Sequence, residues 1–200
     1  MSYLKSPFLW FILALLATAG LAALGPREEI LGGSVRIIYL HGAWALTAET
    51  ALGLSAAAGL SGILFRRAAL QRWSAALGYT GLFFWVTYLP LSLWAMQANW
   101  NGLFLAEPRF RVAVIFSITG LLLQTGLALL ARPVFTSLFN LLFFSALEFT
   151  LARAGYVMHP PPSPIFNSGN LSLELYFISV ILLNISAAYF LTRGWLQKNH

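Results

Sequence analysis

The chain has 200 residues, of which 59% are hydrophobic and only 9% are charged, and its mean hydropathy is +0.76. A soluble domain usually has about 25% charged residues, because its surface must interact with water. The composition therefore excludes a soluble enzyme and indicates an integral membrane protein. The net charge of +6 comes from 12 Lys and Arg, which we interpret as topology signals. We expect no nucleic-acid partner, because the sequence offers no polar face to carry these cations.

Apolar runs near 20 residues recur along the whole chain, and about 20 residues cross the roughly 30 Å of membrane hydrocarbon. Alternation of period two is absent, which favours helices over barrel strands. The predicted helices cover residues 8–24, 37–65, 73–96, 112–130, 134–154 and 171–191. The first run is longer than the core of most signal peptides (about 7–15 residues), so we expect it to be retained. The prediction is an all-α, polytopic membrane protein with six transmembrane helices in a single domain, and not an enzyme.

The Lys and Arg in the loops predict the orientation, because cytoplasmic loops are enriched in them. With both termini cytoplasmic, seven cations lie inside: Lys5, Arg66, Arg67, Arg72, Arg132, Arg193 and Lys198. Five lie outside: Arg27, Arg36, Arg109, Arg111 and Arg153. We therefore expect both termini to be cytoplasmic in a multi-pass protein of a prokaryotic cell membrane. Loops 97–111 and 156–170 then lie on the outer side.

Two histidines share the outer side in this topology. His41 lies one turn inside the second helix, and His159 lies in the loop between the fifth and sixth helices. Cysteine is absent from the sequence, which excludes thiolate sites and covalently attached haem. Two imidazoles at one depth fit axial ligation of a haem iron better than a zinc site. Alternatively, each histidine only forms hydrogen bonds at the interface; His200 is expected to be inert.

The loop after the third helix combines aromatic residues with a polar turn. Trp94 and Trp100 could form a stacking platform for a flat macrocycle, or could belong to the aromatic belt of the membrane interface. Arg109 and Arg111 could neutralise anionic propionates, or could anchor the fourth helix.

Two glutamates lie inside predicted helices, where an ionisable residue is costly. We expect Glu49 and Glu148 to face protein, with Glu49 hydrogen-bonded to a neighbouring helix. A proton relay in a secondary transporter is the less favoured alternative, because such a site needs broken helices and Pro90 is the only strong interior helix breaker.

The segment RIIYLHGAW, residues 36–44, resembles the R-I-x-Y-x-H run that opens the second helix in the haem exporter protein C (CcmC) family of cytochrome c maturation. That family has six helices, a tryptophan-rich outer segment between helices three and four, and a second histidine between helices five and six. Residues 94–109 occupy the first of these places here, and the His159-Pro160 stretch occupies the second.

The resemblance implies a non-covalent b-type haem at the outer face, with His41 and His159 as the metal ligands. The residues expected to contact the cofactor are Trp94, Trp100, Trp44, Arg36, Arg109 and Arg111. Two departures from the family matter: Gly42-Ala43 replaces Val-Pro, and the tryptophan segment lacks consecutive tryptophans and the closing Asp. They favour a protein that holds haem over one that hands it on.

The alternative function is a structural or electron-carrying subunit of a larger respiratory or photosynthetic membrane complex that reuses the fold. In either case we expect membrane lipid and other membrane protein subunits as partners.

Overall fold

The computed structural model describes residues 6–29, 31–157 and 163–198. It has six helices in chain order: α1 (Pro7–Ala23), α2 (Val35–Leu64), α3 (Ala68–Trp100), α4 (Pro108–Leu130), α5 (Pro133–Arg153) and α6 (Leu171–Lys198). The only extended pairing within these ranges is an isolated bridge between Glu28 and Gly32. The predicted all-α fold class is confirmed.

Four of the helices, α3 to α6, are long and apolar enough to cross a membrane. Helix α1 is apolar but shorter, at 17 residues. Helix α2 has 30 residues, many of them Ala, Gly, Ser and Thr, and it is not among the four candidate spans. These features are those of a multi-pass membrane protein, whereas the count of six spans and the cytoplasmic termini stay predictions.

Helices α3 and α4 extend further toward each other than the apolar runs indicate. Helix α3 continues to Trp100 and is ended by Asn101, whose φ of 52° is left-handed, a conformation that commonly closes helices. Helix α4 begins at Pro108, because proline fits the first helical position without losing a hydrogen bond. The connecting loop is therefore only residues 101–107, and both Trp94 and Trp100 are helical.

Helix α2 lies at the centre of the bundle, packing most extensively on α3 and also contacting α1, α5 and α6. Gly59 permits a close approach of α2 to both α3 and α5. A Cβ at this position would lie 2.8 Å from the Ser137 carbonyl oxygen of α5 and 2.8 Å from Ser74 Oγ of α3. Small residues allow membrane helices to meet in this way.

A buried polar network next to Gly59 connects α2, α3, α4 and α5. Gln124 Nε2 donates to Asn140 Oδ1 (2.7 Å), and Asn140 Nδ2 donates to the Ser74 carbonyl oxygen (3.1 Å). Ser55 Oγ donates to the same carbonyl (2.6 Å). Polar groups in an apolar interior are costly unless paired, so the network favours one register of the four helices.

The bundle has two chemically different ends. One end carries the loops 24–34, 101–107 and 154–170, and we call it the His41 end. The other carries the turns at residues 65–67 and 131–132, and we call it the Arg66 end.

Candidate functional site

A cavity of about 320 Å³ opens at the His41 end between α2, α3, α4 and α5; we call it the His41 cavity. Ligand sites usually measure about 300–1,000 Å³, so this cavity lies at the lower end of that range. Its walls combine apolar side chains with polar and ionisable ones. The polar and ionisable lining residues are His41, Glu49, Tyr88, Ser92, Glu107, Arg109, Glu148 and Ser163.

The His41 imidazole is held by a ladder of aromatic rings on α3. It stacks on the Tyr88 ring, with centroids 4.9 Å apart and an interplanar angle of 27°. Tyr88 in turn stacks on Trp85 at 5.6 Å and 22°. Trp85 Nε1 donates to the Ala113 carbonyl oxygen of α4 (3.2 Å). The orientation of the imidazole is therefore set by contacts that reach across three helices.

Arg109 brings a partly buried cation to the same cavity from the first turn of α4. Its Nη2 donates to the Leu151 carbonyl oxygen of α5 (3.5 Å). Its Nε is buried and has no hydrogen-bond acceptor within the described ranges. A guanidinium donor in this situation is available to an anionic oxygen of a ligand.

Glu107 connects the α3–α4 loop to the segment that follows α5. The residue is only 6% exposed, and its carboxylate oxygens accept the Val157 N–H at 3.2 and 3.3 Å. On the far side of residues 158–162, Ser163 and Pro164 line the cavity. Both flanks of that stretch therefore lie beside the cavity.

Glu49 of α2 and Glu148 of α5 also line the His41 cavity, and neither is fully exposed. This agrees with the prediction that both carboxyl groups face protein. The hydrogen bond expected between Glu49 and a neighbouring helix stays a prediction.

The structure brings His41, Trp100 and Arg109 together among the residues predicted to bind the cofactor. Trp94 does not line the cavity, and its side chain is 60% exposed. His159 and His200 lie outside the described residues.

The remaining three predicted cofactor contacts lie elsewhere. Trp44 packs between α2 and α3, where its Nε1 donates to Thr87 Oγ1 (2.8 Å). Arg36 Nε donates to the Gly25 carbonyl oxygen (3.1 Å), which ties the α1–α2 loop to α2. Arg111 is exposed and lines a separate shallow depression beside Arg153.

The sequence analysis missed the α3 wall of the cavity. Trp85, Tyr88, Ser92 and Met96 all line it, and their spacing of three or four residues places them on one helix face. That spacing is visible in the sequence. It was a usable signal, because hydroxyl groups and aromatic rings on one face of an apolar helix indicate a protein-facing surface.

Within the described ranges, no group of three or more His and Glu side chains is arranged to hold a metal ion.

Comparison with known proteins gave no match to a protein-family model, a curated protein or a solved structure. The resemblance to the haem exporter protein C family thus remains an expectation from the motifs.

Proposed function

We propose that this chain is a six-span membrane protein, with both termini cytoplasmic, that binds one non-covalent b-type haem in the His41 cavity. The function would be of the cytochrome c biogenesis type. The single observation that carries the proposal is the convergence of an oriented imidazole, aromatic walls and a buried guanidinium N–H in one cavity.

The residues present fit the three chemical parts of a haem. The iron needs an imidazole, and His41 supplies one whose plane is held by Tyr88. The macrocycle needs an apolar lining, to which Trp85, Trp100 and Tyr88 contribute. The propionates need a cation, and Arg109 lines the cavity with an Nε donor that no described acceptor satisfies. Bound haem would supply one-electron chemistry at iron, while these side chains orient it and exclude water.

His159 is the proposed second ligand. The support is that its chain neighbours approach the cavity: Val157 is hydrogen-bonded to Glu107, and Ser163 lines the wall. A five-residue stretch, 158–162, joins these two points. A ligand carried on so short a connection loses little additional entropy on binding.

Optical spectroscopy of the purified protein tests the proposal. We expect a Soret band, a b-type pyridine haemochrome spectrum and complete extraction of the haem by acid–acetone, since no cysteine is present for covalent attachment. His41→Ala and His159→Ala should each lower haem occupancy, whereas His200→Ala, the matched control, should not. A protein that shows no Soret band after haem addition, or alanine variants that bind like wild type, would refute the proposal.

One observation favours a fixed haem over a transferred one. The cavity lies between four helices, and the exposed Trp94 does not line it, so of the two predicted platform residues only Trp100 is positioned to contact a haem bound there. This supports the second candidate, an electron-carrying subunit of a larger membrane complex. Mixing the haem-loaded protein with an excess of a haem acceptor separates the two functions: rapid transfer indicates biogenesis, and retention indicates a fixed haem.

A further inference from the structure

A second and larger concavity, of about 840 Å³, lies between α2, α3 and α6; we call it the α2–α3–α6 groove. Along α2 it is lined between residues 47 and 65, a length of about 27 Å at the helical rise of 1.5 Å per residue. Its space is left by small side chains, among them Ala51, Ala57, Ala58 and Ser61. It is separate from the His41 cavity and lies closer to the Arg66 end.

Two arginines from different helices meet the groove near the Arg66 end. Arg67 lines it directly at the start of α3. Arg193 of α6 is tied to a second lining residue, because its Nη1 donates to the Tyr189 hydroxyl (3.0 Å) and its guanidinium lies 5.9 Å from the Tyr189 ring centroid. Tyr189 therefore holds a second cation at the groove.

No acidic residue offsets these charges. None of the described residues that line the groove is acidic. The six glutamates of the sequence lie at positions 28, 29, 49, 107, 148 and 174. Those at 49, 107 and 148 line the His41 cavity, and the others belong to the loops and the first turn of α6 at the His41 end. The Arg66 end thus presents a cationic mouth to a groove with apolar walls.

We infer that the α2–α3–α6 groove binds an anionic phospholipid, with one acyl chain along the small residues of α2 and the phosphate between Arg67 and Arg193. The groove is longer than the roughly 15 Å of hydrocarbon in one leaflet, so its length is sufficient for an acyl chain from the leaflet at the Arg66 end. The charge complementarity selects an anionic headgroup over a zwitterionic one, because basic residues near a membrane surface attract anionic lipid. The inference is independent of haem binding.

Tryptophan quenching by brominated lipids tests this directly, because Trp73 lines the groove. The full chain is reconstituted with brominated phosphatidylglycerol or brominated phosphatidylcholine at equal mole fractions. The difference in quenched fluorescence between wild type and Trp73→Phe is the part of the signal that comes from the groove. We expect phosphatidylglycerol to quench Trp73 at lower mole fractions than phosphatidylcholine does.

Variants of the two arginines test the proposed headgroup site. Arg67→Gln and Arg193→Gln should each weaken the apparent affinity for phosphatidylglycerol about fivefold. Arg132→Gln is the matched control, since Arg132 lies in the other turn of the same end and does not line the groove. Equal quenching by both lipids, or an equal loss in Arg132→Gln, would overturn the inference in favour of general surface attraction.

A groove-filling variant tests the acyl-chain site separately from the charges. Ala58→Leu adds bulk to the groove and should reduce the quenching of Trp73, whereas Ala128→Leu, on an exposed face of α4, should not. If neither lipid reaches Trp73 in wild type and a crosslinked second chain occupies the groove, the surface is a protein interface and the lipid inference is wrong.

Discussion

The imidazole of His41 and the phenol ring of Tyr88 lie stacked, with centroids 4.9 Å apart. The two residues come from different helices, and Tyr88 is itself stacked on Trp85. A histidine on a membrane helix can rotate about two side-chain bonds, and this stack restricts both. The stack therefore prepares the ring for a ligand before any ligand arrives, which lowers the entropy cost of binding.

Removal of the Tyr88 ring should weaken haem binding without removing a ligand. Ring contacts of this kind contribute about 0.5–1.5 kcal/mol beyond the buried area, so Tyr88→Ala should bind haem roughly two- to tenfold more weakly in a Soret titration. Tyr88→Phe keeps the stack and should bind nearly as wild type. Tyr79→Ala is the control, because Tyr79 packs on Trp195 elsewhere on α3. If Tyr88→Ala binds as wild type does, the stack does not prepare His41.

Gly42 should be intolerant of the valine that the resembled family carries at this position. A Cβ here would lie 2.7 Å from Cζ of Phe177, a fully buried ring of α6. Overpacking of this kind typically costs about 1–3 kcal/mol. Gly42→Val should therefore lower the midpoint of thermal unfolding in detergent, and Phe177→Leu in the same chain should recover part of the loss.

The matched control for this substitution is Gly126→Val on α4, where a Cβ would meet nothing within 4 Å. It adds the same β-branched side chain to a helix interior without the clash. Equal destabilisation by the two valines would show that helix propensity, and not contact with Phe177, accounts for the loss at Gly42.

The helices could be predicted from the sequence because their driving force is local. Each apolar run has to cross or line a membrane as a helix, since no other structure satisfies its backbone there. The ends could not be predicted from hydropathy. Helix α3 continues past polar residues because Asn99 Nδ2 donates to the carbonyl oxygens of Ala95 (3.0 Å) and Ser34 (3.4 Å). A contact with the residue before α2 thus supports the last turn of α3, which Asn101 then ends.

The site could be predicted only in part, for a similar reason. His41 and Arg109 were identifiable because an imidazole or a guanidinium near an apolar helix requires an explanation. Single residues could not show which face of α3 lines the cavity, because a tryptophan side chain packs equally well against lipid and against protein. The prediction therefore included Trp94, which is exposed, and left out Trp85, which is buried with only 2% of its surface exposed.

Cysteine labelling tests the proposed topology cleanly, because the sequence contains no cysteine. Asn101→Cys and Gly33→Cys should react with an impermeant maleimide from the outside of intact cells, and Arg67→Cys should react only after the cells are opened. Asn101 and Gly33 belong to the His41 end, and Arg67 belongs to the Arg66 end. Labelling of Asn101→Cys and Arg67→Cys from the same side would exclude the six-span topology.

Asn140 should contribute measurably to stability, because it joins Gln124 of α4 to Ser74 of α3. Asn140→Ala leaves the buried Gln124 amide without its acceptor, a loss of about 1–3 kcal/mol. Unfolding of the purified protein in denaturing detergent measures the change. Thr125→Ala is the control, since its hydroxyl is exposed and bonds only within its own helix, to Leu121. A double variant with Gln124→Ala should show a coupling of about 0.6–1.7 kcal/mol; additive losses would show that the pair does not interact.

The carboxylate of Glu107 should control the backbone that precedes residue 158. Both its oxygens lie within 3.3 Å of the Val157 nitrogen, and a hydrogen bond to a charged group contributes about 1.5–3 kcal/mol. Glu107→Ala should therefore accelerate amide hydrogen exchange at Val157 by roughly 10- to 100-fold, with a smaller effect in Glu107→Gln, which keeps a neutral acceptor. Glu174→Ala removes a charge at the same end of the bundle and should leave exchange at Val157 unchanged. Unaltered exchange in Glu107→Ala would show that the carboxylate does not hold this segment.

The same variant separates the two proposed ligands. Glu107 accepts the N–H of Val157, two residues before His159 in the sequence, so its loss should loosen the segment that leads to His159. If His159 binds iron, Glu107→Ala should lower haem occupancy, although less than His159→Ala does, because the ligand is retained and only its positioning is lost. If Glu107→Ala accelerates exchange at Val157 and haem occupancy does not change, the segment is loosened without consequence for the iron. His159 is then not a ligand, and His41 binds the haem without it.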